Sequence, residues 1–283
     1  MKNKVSVLGS GFVSSHLNYN KILDRLDLSE INIESLINKN KPDILINCIG
    51  KTGRPNIDSC ENEKEITSAT NTALPILLAK VCEKHSIKLI QINSGCIYFG
   101  ESPNIIEYKD SDDKIIKKDL GWREDDFANP KSFYSKTKYA CDLSIGDMGN
   151  VAILRIRMPI SEQKSERNLI SKLKKYKQVI DIPNSMTYIN DLVKFIDFVI
   201  NKNLSGIYHV TNPEPMTAAQ IMKEYKKYIK SHLFEIIDES ELDKITKAKR
   251  SNCILNTDRL KSTGFVMTPS EVAIQSCVKE YCS

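Results

Sequence analysis

Val5-Ser6-Val7-Leu8-Gly9-Ser10-Gly11-Phe12-Val13-Ser14 decides the fold. A short apolar strand runs into Gly-x-Gly-x-x-Ser at the opening of a helix. The two glycines allow a tight turn and a close backbone approach, so a pyrophosphate can sit on the helix N-terminus. Gly9, Gly11, Phe12 and Val13 are therefore candidate cofactor contacts. Ser14 stands where a third small residue is usual, and an ordinary strand-turn-helix has the same outline. An acidic residue is expected about 20 positions on, at the end of a second strand. It is hard to place because the first helix is cut short at Asn18-Tyr19-Asn20. Asp24 suits a ribose 2′-hydroxyl and Arg25 a 2′-phosphate, and a surface ion pair at a helix end is an equal reading of both. The balance leans to NADPH, with NADH open.

Outward from this loop, strands and helices alternate. Strand-like runs are Lys4–Leu8, Ile44–Cys48, Lys88–Asn93 and Val151–Arg155, with helices from Asn71 to His85 and from Phe133. Alternation of this kind predicts an α/β fold of Rossmann type, a doubly wound parallel sheet. The near-continuous apolar runs fit strands covered on both faces. After Arg157 the rhythm fades, and Gly206–Val210 reads as one more strand returning to the sheet. This predicts a dinucleotide-binding domain of residues 1–155 and 188–210, with a smaller interleaved substrate lobe of residues 156–187 and 211–283. Residues 101–126 are charged and aperiodic, which suggests a long surface excursion near the site.

The 283 residues are 41% hydrophobic and 27% charged, and no run approaches the ~18 apolar residues of a membrane span. The apolar run at the start is too short for a signal peptide. Eight scattered cysteines without Cys-x-x-Cys pairs fit a reducing cytoplasm. None of the four histidines has zinc-ligand spacing, so no metal is expected. The net charge of +5 is spread over lysine-rich helices and reads as solvated surface. Such a surface also attracts an anionic nucleotide sugar; no nucleic-acid module accompanies it.

Chemistry enters at Phe133-Tyr134-Ser135-Lys136-Thr137-Lys138. A tyrosine and a lysine four residues apart share a helical face, so the ammonium can favour phenolate and make tyrosine a usable acid. Upstream, a strand-like run ends in Asn93-Ser94-Gly95-Cys96. A serine hydroxyl there can hold the substrate oxygen that tyrosine protonates during hydride transfer.

With the glycine loop, Ser94 and the Tyr134/Lys138 pair, the chain resembles the extended short-chain dehydrogenase/reductases. Further segments resemble the bifunctional 3,5-epimerase/4-reductases of UDP-rhamnose synthesis. They are residues 50–61, 133–138 and 155–161, then Ile182-Pro183-Asn184-Ser185-Met186-Thr187, Thr211-Asn212-Pro213 and Arg250-Ser251-Asn252. The resemblance implies reduction of UDP-4-keto-6-deoxyglucose after epimerisation. Tyr134 would be the proton donor, Lys138 would hold the nicotinamide ribose, and Ser94 would complete the triad. Asn71 matches the supporting asparagine, with a helix N-cap as its other reading, and Asn47 joins the cofactor set. Cys96 matches the epimerising base; a buried core cysteine is the bland alternative. Lys172 matches the opposing acid, with Lys164 as fallback.

Arg54, Asn56, Arg157, Asn168, Asn184, Thr187 and Arg250 are the candidate contacts to the nucleotide sugar, Arg250 gripping the diphosphate. A separate 4,6-dehydratase would supply the substrate, and a homodimer is compatible. Rival readings are an enzyme for another nucleotide sugar, of the dTDP-rhamnose or GDP-fucose type, and a non-catalytic NADP-binding regulatory subunit.

Overall fold

The computed structural model describes residues 3–24, 26–54 and 56–283. Its centre is a six-stranded parallel sheet. The strand order is Gly206–His209, Val151–Ile156, Lys88–Ser94, Ile44–Asn47, Val5–Leu8, Asn20–Ile22. Chain order reverses between Val5–Leu8 and Ile44–Asn47. In open sheets of this kind, the crevice beyond the carboxyl ends of the strands at such a reversal is where ligands bind.

The strands carry apolar residues on both faces because both faces are covered. Val7, Ile46, Ile90 and Leu154 pack under the helix Ile189–Lys202. Leu8, Leu45, Leu89 and Ile153 face the helices Glu30–Asn40, Leu74–Lys84 and Phe133–Ile145. A separate core gathers Ile160, Ile170 and Met186 with residues of the helices Ala218–Tyr228 and Ser270–Cys282. Leu260 and Met267 pack into the sheet core instead, although the sequence reading assigned residues 211–283 to the second lobe.

Three local features refine the sequence reading: the first helix is short, as expected, and the other two depart from it. The helix after the glycine loop is a single turn, Phe12–Ser15, and the chain passes at once into the three-residue strand Asn20–Ile22, too short to carry a periodic signal. Residues 101–126 contain an antiparallel hairpin, Ile105–Lys109 with Ile115–Asp119. Its Ile105, Ile106, Tyr108 and Ile115 are exposed, so no inside-outside alternation marks it as strand. Asp110 accepts the backbone N–H groups of Asp112 and Lys114, both at 2.9 Å, and so closes its turn. Finally, the helix around Asn71 starts earlier, at Lys64, and runs through a wider π-type turn at Ala69–Ala73.

Candidate active site

At the strand reversal Gly9 has φ +100, and a Cβ there would sit 3.2 Å from the Cys48 and Ile49 backbone. Only glycine joins the strand ends this closely. Gly11 faces open space, leaving room for a ligand against the turn. Ser14 is buried, and its hydroxyl donates to Gly11 O at 2.9 Å. A serine thus locks the loop where the third small residue was expected. Beside it lies a cavity of about 330 Å³ lined by Gly9, Ile22, Leu23, Asp24, Leu28 and Ile66 among others. Its apolar walls and acidic rim fit a nucleobase and its ribose. Asp24 carries a 2.8 Å ion pair to Lys39. Arg25 lies outside the described residues.

The second strand past the reversal ends at Ser94. The sequence reading took Ser94 to Cys96 as extended. Instead the chain turns, and Ser94 Oγ accepts the Cys96 N–H at 3.1 Å. The facing helix begins with Ser132, whose side chain accepts the Ser135 N–H at 3.1 Å. Ser135 in turn donates to Cys96 O at 2.5 Å, tying the helix that carries Tyr134 to the turn that carries Cys96.

Tyr134 is almost fully buried. Burial holds its phenol well above the ordinary value, the charge of Cys96 adds to this, and the Ser94 hydroxyl pulls the other way. Lys138 is not the controlling influence that its spacing suggested; desolvation lowers the pKa of its own ammonium. Its Nζ lies 3.2 Å from where a Cβ on Gly50 would be, and Asn71 Oδ1 lies 3.6 Å from that same point. Glycine at position 50 therefore makes the room for the ammonium. Asn71 is no N-cap: it donates to Lys51 O at 2.9 Å and to Thr137 Oγ1 at 3.2 Å from inside the π-type turn. Such turns frequently occur at functional sites.

On the other side, Arg157 NH1 donates to Cys96 Sγ at 3.3 Å. Lys172 separates from the exposed Lys174, Lys175 and Lys177 by being half-buried. Burial lowers its pKa, Arg167 lowers it further, and the charge of Cys96 opposes both. Lys164 is exposed and stands over the Tyr281 ring at 5.8 Å.

A family model described as the RmlD substrate binding domain matches residues 10–283. The chain belongs to this family. Among RmlD-family relatives, the bifunctional dTDP-4-dehydrorhamnose 3,5-epimerase/dTDP-4-dehydrorhamnose reductase of Arabidopsis thaliana is 37% identical over 225 residues, 78% of this chain and 71% of that one. The crystal structure of the L780 UDP-rhamnose synthase of Acanthamoeba polyphaga mimivirus superposes with a TM-score of 0.86 at 26% identity, covering 99% of this chain and 100% of that one. A dTDP-4-dehydrorhamnose reductase from Bacillus anthracis, solved with NADP, shares the fold at a TM-score of 0.79 and 21% identity, covering 99% of each chain.

Several polar residues singled out in this RmlD-family sequence are consumed by the structure itself. Buried Asn47 bonds Gln91 at 2.8 Å and caps the Ile49 N–H, so it faces no ligand. Asn56 accepts the Asp58 N–H at 2.8 Å and caps a short helix. Buried Asn168 caps the helix Leu169–Leu173 and donates to Ser161 O and Gln163 O. Buried Thr187 bonds the Arg157 N–H and Val210 O. Asn184 accepts from the Arg157 guanidinium and from Cys253 N rather than facing a sugar. Arg157 itself is 1% exposed.

Arg250 is held by both oxygens of Asp58, at 2.7 and 3.0 Å, so its guanidinium is already paired within the fold. Arg54 is exposed and lines a second cavity, of about 390 Å³, with Gly50, Lys51, Gly53, Glu63 and Arg167. Arg167, which sequence reasoning missed, donates to Gly53 O at 2.8 Å across the cleft. No spacing signal marked it: its partner is remote in sequence.

Proposed function

We propose that the chain epimerises UDP-4-keto-6-deoxyglucose at C3 and C5 and then reduces C4 with NADPH, giving UDP-L-rhamnose. One observation carries this reading: Cys96 is tied to the reducing cluster, its N–H donating to Ser94 Oγ and its carbonyl accepting from Ser135 beside Tyr134, and the half-buried Lys172 ammonium is near enough to feel the charge of its thiol. Reduction alone needs neither Cys96 nor Lys172. Epimerisation beside a ketone needs a base and an acid on opposite faces of the ring.

In this reading Cys96 removes the carbon-bound proton acidified by the C4 ketone. Ser94 and Tyr134 hold the oxygen on which the electron pair gathers, and Lys172 returns a proton from the other face. NADPH supplies the hydride to C4. Tyr134 then gives its proton to O4, and Lys138 would hold the nicotinamide ribose. Reduction comes last because the neighbouring protons lose their acidity once the ketone is gone. Arg54 and Arg167 are the cations that remain for the diphosphate. The names of the Arabidopsis and mimivirus relatives support rhamnose chemistry, the latter supports UDP, and the Bacillus complex supports NADP. A separate 4,6-dehydratase would have to supply the keto sugar.

The test is to give the purified protein UDP- or dTDP-4-keto-6-deoxyglucose with NADPH and to identify the sugar by NMR. UDP-L-rhamnose, with one NADPH oxidised per sugar, is expected. A reduced but unepimerised sugar would sink the epimerase half, and faster turnover of the dTDP sugar would move the nucleotide assignment.

A further inference from the structure

Arg157 is a cation that the fold has sealed in. Its NH1 donates to Ser251 Oγ at 2.7 Å and to Cys96 Sγ at 3.3 Å; NH2 bonds Asn184 Oδ1 and Ser251 O. Nε is buried without a partner. None of its hydrogen-bond partners among the described residues is a carboxylate. Arginine does not shed its proton in a protein, so it cannot escape burial by neutralising itself. A buried cation without an anion is strongly unfavourable, and the sulfur is the one partner here that can become an anion. Cys96 is partly exposed whereas Arg157 is not, so a molecule in the crevice meets the sulfur first.

We propose that Arg157 is the positioning residue that supplies the counter-charge for the Cys96 sulfur anion and aims it into the crevice. This rests on the epimerase reading given above. In the step, sulfur gains a proton and an S–H bond, and the C–H electron pair moves into the ketone to give an enolate. Lys172 then protonates the carbon from the opposite face and is left as an amine, which solvent reprotonates. Arg157 takes no proton at any point. Its role is to stand against the sulfur as counter-charge and hold it in place, and Ser251 and Asn184 hold the guanidinium fork in register. This accounts for two motif positions, Asn184 and Ser251, each of which accepts from this fork.

The experiment reads alkylation of Cys96 by iodoacetamide across pH, followed on the Cys96 peptide by mass spectrometry. It uses the wild type, Arg157→Met, Arg157→Gln and the charge-keeping Arg157→Lys. Near neutral pH the two charge-removing variants should react about tenfold more slowly or worse, with the midpoint of the rate profile moved to higher pH, and lysine should restore most of the rate. Arg157→Gln keeps donors for Ser251 and Asn184, so it retains the test if the methionine variant fails to fold. Unchanged rate and midpoint in either folded, charge-free variant would overturn the proposal. A parallel arm follows deuterium entry at C3 and C5 of the keto sugar in D2O, and should fall with alkylation. Loss of alkylation without any deuterium entry in the wild type would leave the pairing standing and refute the epimerase reading instead.

Discussion

Arg155 lies near the end of the strand Val151–Ile156 and Arg157 just past it, and both are almost wholly buried. Their surroundings differ in kind. Arg155 is matched: Nε donates to Asp142 at 2.8 Å, NH1 to Tyr98 Oη at 2.7 Å and to Glu124 O at 3.1 Å. The pKa of His209 beside it is pushed far down by burial and by the arginine. Arg157 has only neutral oxygens and one sulfur. A charge matched within the fold serves the fold, whereas an unmatched one facing a cleft is free to serve chemistry. The same division runs through the site: a reducing cluster built into the sheet and its helix, and a seam corner, Cys96 with Arg157 and Lys172, where the second core meets it.

The sharpest separation is Tyr134→Phe. It should cut NADPH-dependent reduction by roughly 10²–10⁴-fold, the usual worth of a positioned proton donor. The melting temperature should hardly move; a fall in stability matching the fall in rate would make Tyr134 a packing residue. Arg155→Met tests the other kind of site. It strands the buried Asp142 carboxylate and should cost about 3–5 kcal/mol in urea denaturation. Arg157→Met strands no carboxylate and should cost about 1–3 kcal/mol for its orphaned oxygens. Equal losses would erase the contrast between the two arginines.

A smaller effect concerns pH. In the proposed mechanism Lys172 must be protonated to act as the acid, so epimerisation should be lost as pH rises through its pKa, which burial and Arg167 hold below the ordinary lysine value. Arg167→Gln removes one of those influences, so the alkaline limb of deuterium exchange should move to higher pH. A limb that stays put would detach Lys172 from the step. Smallest is Arg250→Gln, expected to cost about 1 kcal/mol. The Arg250 bond holds the Asp58 carboxyl below its usual range, against a desolvation that raises it. Folded pKa below unfolded means that the pair stabilises above the unfolded value and fades as pH falls through the folded one. Wild type and variant should therefore converge in acid.

The sheet was legible in the sequence because apolar runs such as Ile44-Leu45-Ile46 and Val151-Ala152-Ile153-Leu154 mark its long strands, and the glycine loop fixed where it begins. Asn20–Ile22 was not, since three residues carry no period, and the exposed hairpin was not, since neither of its faces is buried. Tyr134 and Lys138 could be read because helical spacing alone brings them together. The polar candidates fared worst. Asn47, Asn168 and Thr187 look like ligands in a one-dimensional motif, but buried backbone and side-chain groups claim their bonds. Arg167 reaching Gly53 and Arg157 reaching Cys96 and Ser251 depend on contacts remote in sequence, which no local pattern announces.

The central claim is that one crevice holds two separable chemistries, and Cys96→Ala tests it most directly. The variant is given NADPH and, in parallel, the unepimerised 4-keto-6-deoxyglucose and the already epimerised 4-keto-rhamnose nucleotide. It should reduce the epimerised sugar to the rhamnose product and make no rhamnose from the other. Rhamnose formed from the unepimerised sugar at the wild-type rate would contradict the account.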